Sequence, residues 1–367
     1  LNSEKLNIMF INSIAPNKYG GGEKWMLTAA SGLMKKGHSV VIAGKTNSIF
    51  LEKAKNLKLK TEEINIKGDF DPIKSFKISK YLKKNKIHVL ICNFNKDVRV
   101  AGLGARIAKT PLVLARHGLQ IIDKRAIHKL TLKYLVDGII TNSNTIKQIY
   151  DSYNWFEQDF VKVIFNGVQI NDEISAYNYQ AEFPGKKIIF SAGRFVEQKG
   201  FEYLIQSAEI LNLQRQDLVF AIAGEGELEN QLKQLVKSKK LENTIKFLGF
   251  KNDILPFIKG ADIFVLPSLY EGMPNVVMEA MSVAKPVIAT NVNGTAELIE
   301  ENQTGFTIPI KNPQILAEKI NLIIDDKEKL IELGLNGKNR VEKLFSIERM
   351  ITNLENYFYE SINKQKA

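Results

Sequence analysis

Short apolar runs alternate with longer amphipathic stretches along most of the chain. The first run, "LNIMFIN", leads through a glycine cluster into "EKWMLTAASGLMKKG". There Trp25, Leu27, Ala30, Leu33 and Met34 recur at helical spacing. Lys35 and Lys36 fall in the last turn before Gly37, where the helix dipole favours cations. "HSVVIAG", "IHVLICN", "PLVLARH", "GIITNS" and "VKVIFN" are further apolar runs. A strand with one wet face alternates apolar and polar residues. These runs are continuous, so they predict strands buried on both faces. Such strands, separated by helices, predict a parallel sheet wound with helices on both sides.

The second half repeats this grammar. "KKIIFSAG", "LVFAIAG", "IKFLGF", "DIFVLPS" and "PVIATNV" are predicted strands, and "KGFEYLIQSAEIL", "LENQLKQLVKSKK" and "NVVMEAMSVA" are predicted helices. Between the halves, 167–186 is polar, contains Gly and Pro, lacks a clear period, and reads as a linker. In the tail, Ile347, Met350, Ile351, Leu354, Tyr357 and Phe358 stand at helical intervals. The pattern predicts an α/β chain of two Rossmann-like doubly wound domains, 1–170 and 171–345. A C-terminal helix over 346–367 is expected to pack back on the first. Two such domains would face each other across a cleft at the carboxyl ends of their strands, where ligands bind in sheets of this kind.

Composition changes this picture little: 367 residues, 44% hydrophobic and 25% charged, suit a globular two-domain protein. The single cysteine, Cys92, excludes an internal disulfide, fits a reducing compartment and reads as a small buried hydrophobe. No signal peptide is read at the start, and no run approaches the ~20 apolar residues of a membrane span. Charge is more informative. The net +11 resides in residues 1–180, with 28 basic and 15 acidic side chains, against 23 and 25 in 181–367. A basic half suits an anionic surface, or is a solvated face with no partner.

Two places carry chemistry. In "SAGRFVEQKG", Arg194 ends a strand and Lys199 opens a helix, which suits a pyrophosphate. Taken alone, the pair reads first as two surface cations. In "EGMPNVVMEA", Pro274 and Asn275 suit a turn and a helix start, and N–H groups near Asn275 and Val276 can hold a phosphate. Glu271 and Glu279 flank that turn, and carboxylates accept hydrogen bonds from hydroxyls. Hydroxyls on both sides of a diphosphate describe a nucleotide sugar. Without further context, the two glutamates are a loop carboxylate and a helix-surface charge.

The Glu-x7-Glu stretch, with "SAGRFVEQKG" before it and "AKPVIATNVNGTAELI" and "TGFTIPI" after it, closely resembles the retaining GT-B glycosyltransferases of family GT4. "GGGEKWMLTAASGLMKKGHSVVIAG", "RHG", "TNSNTIKQI" and "VIFNGV" agree in the first half, so the resemblance spans nearly the whole chain. It implies a sugar transferase that uses a nucleoside-diphosphate sugar, such as a UDP- or GDP-sugar, without a metal or other cofactor. Arg194 and Lys199 match the diphosphate-binding pair, and Glu279 the glutamate that holds the ribose. Glu271 matches the glutamate near the donor sugar, with a catalytic role. Gly21 and Gly22 match the loop that lets backbone approach phosphate or acceptor. His117 matches a histidine beside the donor sugar, although a lone histidine reads first as packed or surface. Phe250, Lys251, Gly272 and Met273 complete the implied substrate contacts. One departure is Ala284, where the family usually has Gly; a local backbone adjustment is expected there.

The resemblance also implies a glycan or lipid-linked acceptor held by the first domain. The expected location is then cytoplasmic, at the inner face of the membrane, and the basic excess of the first half predicts peripheral contact with anionic lipid through Lys53, Lys55, Lys58, Lys60, Lys83 and Lys84. No aromatic-basic interleaving suggests nucleic acid. "GDFDP" at 68–72 reads as a turn, not a metal-binding Asp-x-Asp, and "AGEGELEN" as a strand-to-helix turn. No Cys/His cluster suggests zinc, and no Gly-x-Ser-x-Gly elbow suggests a serine hydrolase. Rival readings are a nucleotide-sugar isomerase or epimerase, a non-catalytic sugar-nucleotide binder, a nicotinamide oxidoreductase, and a transferase acting on a small soluble acceptor.

Overall fold

The continuous apolar runs form strands buried on both faces. In β1 (Asn7–Asn12), β5 (Leu112–His117) and β9 (Leu218–Ala223), nearly every residue is buried. A computed structural model describes residues 4–366. It contains two sheets, each in its own compact unit: residues 1–167 with 347–367, and 168–346.

The first sheet comprises β1, β2 (Ser39–Gly44), β3 (Lys60–Glu63), β4 (Val89–Cys92), β5, β6 (Gly138–Thr141) and β7 (Val161–Val163). Its order is β3-β2-β1-β4-β5-β6-β7, and every pairing is parallel. The second comprises β8 (Lys187–Ala192), β9, β10 (Ile245–Gly249), β11 (Ile263–Leu266), β12 (Val287–Thr290) and β13 (Gly305–Ile308). Its order is β10-β9-β8-β11-β12-β13, again all parallel. Both units are thus Rossmann-like. Each chain path reverses direction across its sheet once, at β1/β4 and at β8/β11, and these switch points are where such sheets bind ligands.

Two strands escaped the apolar pattern. β3, "KTEE", is a polar edge strand paired only with β2, so one side needs no burial. β13 sits at the other sheet's edge. Residues 168–186 run against the second unit: Tyr177 N donates to Pro256 O at 2.9 Å and Tyr179 is 2% exposed. The last helix, Ile347–Lys366, belongs to the first unit. Its Met350, Ile351, Leu354, Tyr357 and Phe358 join the core that holds Trp25 and Leu33. Glu355 fixes its direction, pairing with Lys36 at 2.5 Å and His38 Nε2 at 2.8 Å. His38 Nδ1 accepts from Leu6 N at 3.2 Å, so Nε2 carries the proton. Cys92 is fully buried.

The Asp-x-Asp of "GDFDP" is taken up locally. Asp71 caps the helix Pro72–Lys84 through Lys74 N at 2.8 Å, and Asp69 pairs with Arg99 at 2.5 Å. Among the described residues, no helix is long and apolar enough to cross a membrane.

Ala284 keeps a left-handed conformation, φ +56°, just past the helix Asn275–Ser282. Its carbonyl is pinned by Gly334, where an added Cβ would lie 2.1 Å from Ala284 O. The backbone keeps the shape that glycine adopts freely, and the alanine bears the strain. Ala284→Gly should therefore stabilise the second unit by about 1 kcal/mol. Its melting transition should rise by roughly 2–4 °C in calorimetry. A fall would show that the alanine methyl packs favourably enough to outweigh the strain.

Candidate active site

The second unit's site grows from the loops that leave β8 and β11 at their switch point. After β8, Phe195 is fully buried, its ring 5.2 Å from Phe201 and 5.8 Å from Phe247. This anchor leaves Arg194 exposed. Gly224 must be glycine for the loop to lie where it does: φ is +149°, and a Cβ would lie 1.9 Å from Gly193 O. The glycines of "AGEGELEN" therefore support the Arg194 loop as a close-packed turn.

The loop then makes the short turn Glu197–Lys199 and reaches Gly200, φ +61°, where a Cβ would come within 2.2 Å of Pro267 O. Leu269 N donates to Gln198 O at 2.7 Å, and Gln198 Nε2 donates to Tyr270 O at 2.9 Å. These contacts seam the β8 and β11 loops together. They bring Lys199 Nζ to 2.5 Å from Glu271 Oε1, with the side chains only 16% and 9% exposed. Ser268 Oγ donates to the same oxygen at 2.7 Å. Glu271 Oε2 makes no hydrogen bond among the described residues. From the other side, Asn293 Nδ2 donates to Glu271 O at 2.6 Å and Gly294 N to Gly272 O at 2.8 Å. Thr290 Oγ1 donates to Ser268 O.

This gripped loop, with Gly272 and Met273 buried, ends at Pro274 and opens the helix Asn275–Ser282. Its N-cap residue, Pro274, supplies no side-chain cap. Its first turn, with Asn275 and Val276, carries positive helix-end potential. Glu279 lies half-buried on the second turn. The arrangement can hold an anion between Arg194, Lys199 and the helix start, and hydroxyls at Glu271 Oε2. Phe250 and Lys251 follow Gly249, whose carbonyl accepts from Gly224 N at 3.0 Å, in the turn that packs on Gly193. They follow β10, two strands from β8, with Phe250 61% exposed and Lys251 Nζ 5.2 Å over the Phe257 ring.

In the first unit, Gly21 and Gly22 open the helix Gly21–Lys35 after β1. Glu23 is 4% exposed; its Oε2 accepts from Gly20 N at 3.0 Å and its Oε1 from Asn12 Nδ2 at 2.8 Å, which fixes the turn. A side chain on Gly22 would begin 3.3 Å from Arg116 Nη1. Sequence reasoning passed over Arg116, which is 6% exposed, lies 4.7 Å over the Trp25 ring, and makes no side-chain hydrogen bond among the described residues. Burial pushes its guanidinium down to about 10, and Glu23 opposes this. The signal was the "R" of "RHG", overshadowed by its neighbour.

His117 ends β5 fully buried, its ring 5.6 Å from that of Tyr150, with both ring nitrogens lacking hydrogen-bond partners. Burial pushes its pKa down to about 3, and Arg116 and His128 add to the effect. Asp97, also buried, accepts from Ser13 N at 3.2 Å and Phe94 N at 3.0 Å, yet burial still pushes it up to about 6. The carboxyl edge of this sheet therefore holds polar groups that the fold buries without pairing. Such groups are costly unless a ligand completes them.

The sequence matches two family models: "Glycosyl transferases group 1" over residues 177–340 and "Glycosyltransferase Family 4" over 19–172. An uncharacterised glycosyltransferase of Methanocaldococcus jannaschii is 31% identical over 257 residues, 68% of each chain. The UDP-Gal:α-D-GlcNAc-diphosphoundecaprenol α-1,3-galactosyltransferase of Escherichia coli is 29% identical, over 77% of this chain and 78% of its own. In fold, the crystal structure of Anabaena HepE in complex with UDP superposes with a TM-score of 0.84, at 20% identity, over 97% of this chain and 100% of its own. The chain belongs to the group 1, family 4 glycosyltransferases and has the GT-B fold. It is a glycosyltransferase, and membership does not favour the isomerase reading.

A pKa of about 3 means that folded His117 refuses a proton which the unfolded chain accepts below about pH 6.5. Its contribution to stability is thus lost progressively as pH falls from about 6.5 towards 3. Proton NMR of the imidazole Hε1 signals, with His117→Gln to assign the resonance, should show no titration of His117 between pH 8 and 5. A midpoint near 6.5 would mean that the ring is solvated and ordinary.

Proposed function

We propose that the protein transfers a sugar, with retention at the anomeric carbon, from a nucleoside-diphosphate sugar to a lipid-linked or polysaccharide precursor. The observation that carries this is the Lys199–Glu271 pair, fixed in the loop that leads into the helix Asn275–Ser282 at the β8/β11 switch point. One residue of the pair is a cation suited to a diphosphate, and the other is a carboxylate with an oxygen left for a hydroxyl. The relative from Escherichia coli, which by its name moves galactose from UDP-Gal to a diphosphoundecaprenol-linked sugar, supports the same donor and acceptor classes. Anabaena HepE, crystallised with UDP, agrees on the nucleotide.

In this reading Arg194, Lys199 and the N–H groups of Asn275 and Val276 neutralise the leaving diphosphate. Charge grows there as the bond from the anomeric carbon to the phosphate oxygen breaks, so preorganised donors favour the transition state over the ground state. Glu279 accepts from ribose hydroxyls and Glu271 Oε2 from a sugar hydroxyl. Neither glutamate is then free to act as a nucleophile. The acceptor oxygen forms its bond on the face the phosphate leaves, and its proton passes to the departing phosphate oxygen. The transition state is oxocarbenium-like. His117, neutral at working pH, serves as a hydrogen-bonding group for a sugar hydroxyl and not as a titrating acid or base. Gly21 and Gly22 let backbone approach a ligand of the first unit. Charge stabilisation by protein cations leaves no metal in the scheme. A lipid-linked acceptor would put the reaction at the inner face of the cytoplasmic membrane.

Calorimetric titration with UDP and GDP in EDTA tests the donor half. Arg194→Ala should weaken the better ligand by roughly 10- to 100-fold, the worth of a charge-assisted hydrogen bond, without lowering the melting temperature. In turnover, Glu279→Gln should raise donor KM with little change in kcat, because ribose is held alike in ground and transition states. Unchanged UDP and GDP affinity in Arg194→Ala, or binding that requires an added divalent ion, would overturn the assignment.

A further inference from the structure

Two helices of the first unit have their polarity reversed relative to an ordinary surface helix. Pro72–Lys84 buries Ser75, Ile78, Ser79 and Leu82, and Ala126–Leu135 buries His128, Thr131 and Leu132. Their outer faces carry Ile73 at 72% exposure, Phe76 at 53%, Ile127 and Leu130 at 54% and Tyr134 at 62%. Phe70, just before the first helix, is 81% exposed. Four of the seven inward residues are polar, whereas these outward ones are large and apolar. Surface helices normally do the opposite. Ile127, Leu130 and Tyr134, at i, i+3 and i+7, line one stripe.

One arginine ties the two stripes together. Arg99 Nη1 pairs with Asp69, next to Phe70, at 2.5 Å, and its Nε donates to Thr131 Oγ1 of the second helix at 3.5 Å. Apart from Asp69, which Arg99 pairs, the charges that the two helices bring to this face have one sign. The two helices contain seven lysines and no acidic residue. Lys77, Lys80, Lys129 and Lys133 are exposed and form no ion pair among the described residues. Lys80 Nζ lies 4.7 Å over the Phe76 ring.

We propose that this face inserts into an anionic phospholipid bilayer. The apolar side chains enter the boundary between headgroups and acyl chains, and the lysine stems lie along them with their ammonium groups at the phosphates. The inference rests on the lipid-linked acceptor reading for its purpose, not for its geometry. A second copy of the chain is the poorer occupant, because a self-complementary interface would set unpaired lysines against lysines. Nucleic acid has no use for Ile73, Ile127 and Leu130. The surface overlaps only in part with the one expected from charge: Lys83 and Lys84 lie on the helix Pro72–Lys84, whereas Lys53, Lys55, Lys58 and Lys60 lie on the helix Ile49–Asn56, on β3 and between the two.

Co-sedimentation of the full chain with phosphatidylglycerol–phosphatidylcholine vesicles, and with phosphatidylcholine alone, is the test. Wild type should bind the anionic vesicles and keep a bound fraction at high salt, and a Phe70→Trp variant should shift its emission to the blue on binding. Ile73→Ser combined with Leu130→Ser should lower partitioning by about tenfold or more. Lys129→Gln combined with Lys133→Gln should lower it by roughly tenfold at low salt. Because all four positions are exposed, melting temperature and UDP affinity should stay as in wild type. Equal partitioning of the Ile73→Ser/Leu130→Ser variant and wild type would overturn the proposal. So would a wild-type dimer that the same variant converts to monomer, or binding to RNA that this variant abolishes. Loss of vesicle binding with transfer to a lipid-linked acceptor intact would remove this inference alone. Insertion without transfer to any lipid-linked acceptor would uphold it and remove the acceptor reading.

Discussion

The site in the second unit depends on one ion pair being buried at a place where backbone can be brought very close. Lys199 and Glu271 come from loops 72 residues apart and meet at 2.5 Å. Removing one partner of a pair this enclosed typically costs about 3–5 kcal/mol, because the other is left charged and dry. The surroundings make the pair affordable. Ser268 shares the carboxylate, Asn293 and Gly294 hold the loop from behind, and Gly200 allows the two loops to touch. The ammonium is therefore held in place before any ligand arrives, which is the condition for strong stabilisation of a leaving group.

The first unit meets a related constraint differently. Its carboxyl edge buries Arg116, His117 and Asp97 with incomplete partners, and burial shifts all three towards their neutral forms. The second unit pairs its charges in advance; the first keeps polar groups unpaired within an apolar frame. Groups of that second kind gain most from a polar ligand, since binding supplies the hydrogen bonds that folding withheld. In the proposed function, the second unit's charges serve the diphosphate and the first unit's neutral groups serve hydroxyls.

Much of this was legible in the sequence where one physical requirement dominated. Strands buried on both faces had to be continuous apolar runs, so β1, β5, β8, β9 and β11 stood out. Edge strands lack that requirement, so polar β3 left no trace. The places of Arg194, Lys199, Glu271 and the Pro274–Asn275 helix start after β8 and β11 were readable, because each follows directly on an apolar run. The pairing of Lys199 with Glu271 was not readable, since it depends on how two distant loops are stitched. Arg116 was missed for a related reason: its burial under Gly22 and Gly118 is set by packing, and an arginine in sequence reads as exposed. The outward apolar faces of Pro72–Lys84 and Ala126–Leu135 were hidden as well, because a helical period does not say which side faces the core.

The central claim is that Glu271 serves the diphosphate site only by holding Lys199. A double-mutant cycle on nucleoside-diphosphate affinity, measured by titration calorimetry with Lys199→Met, Glu271→Gln and the two combined, tests it most directly. With no donor sugar on the ligand, and the ribose held by Glu279, Glu271 has no hydroxyl of its own to bind. The account predicts that the combined variant binds within about 0.5 kcal/mol of Lys199→Met alone. Losses that simply add, in variants that melt as cooperatively as wild type, would show that the two residues act independently and would contradict it.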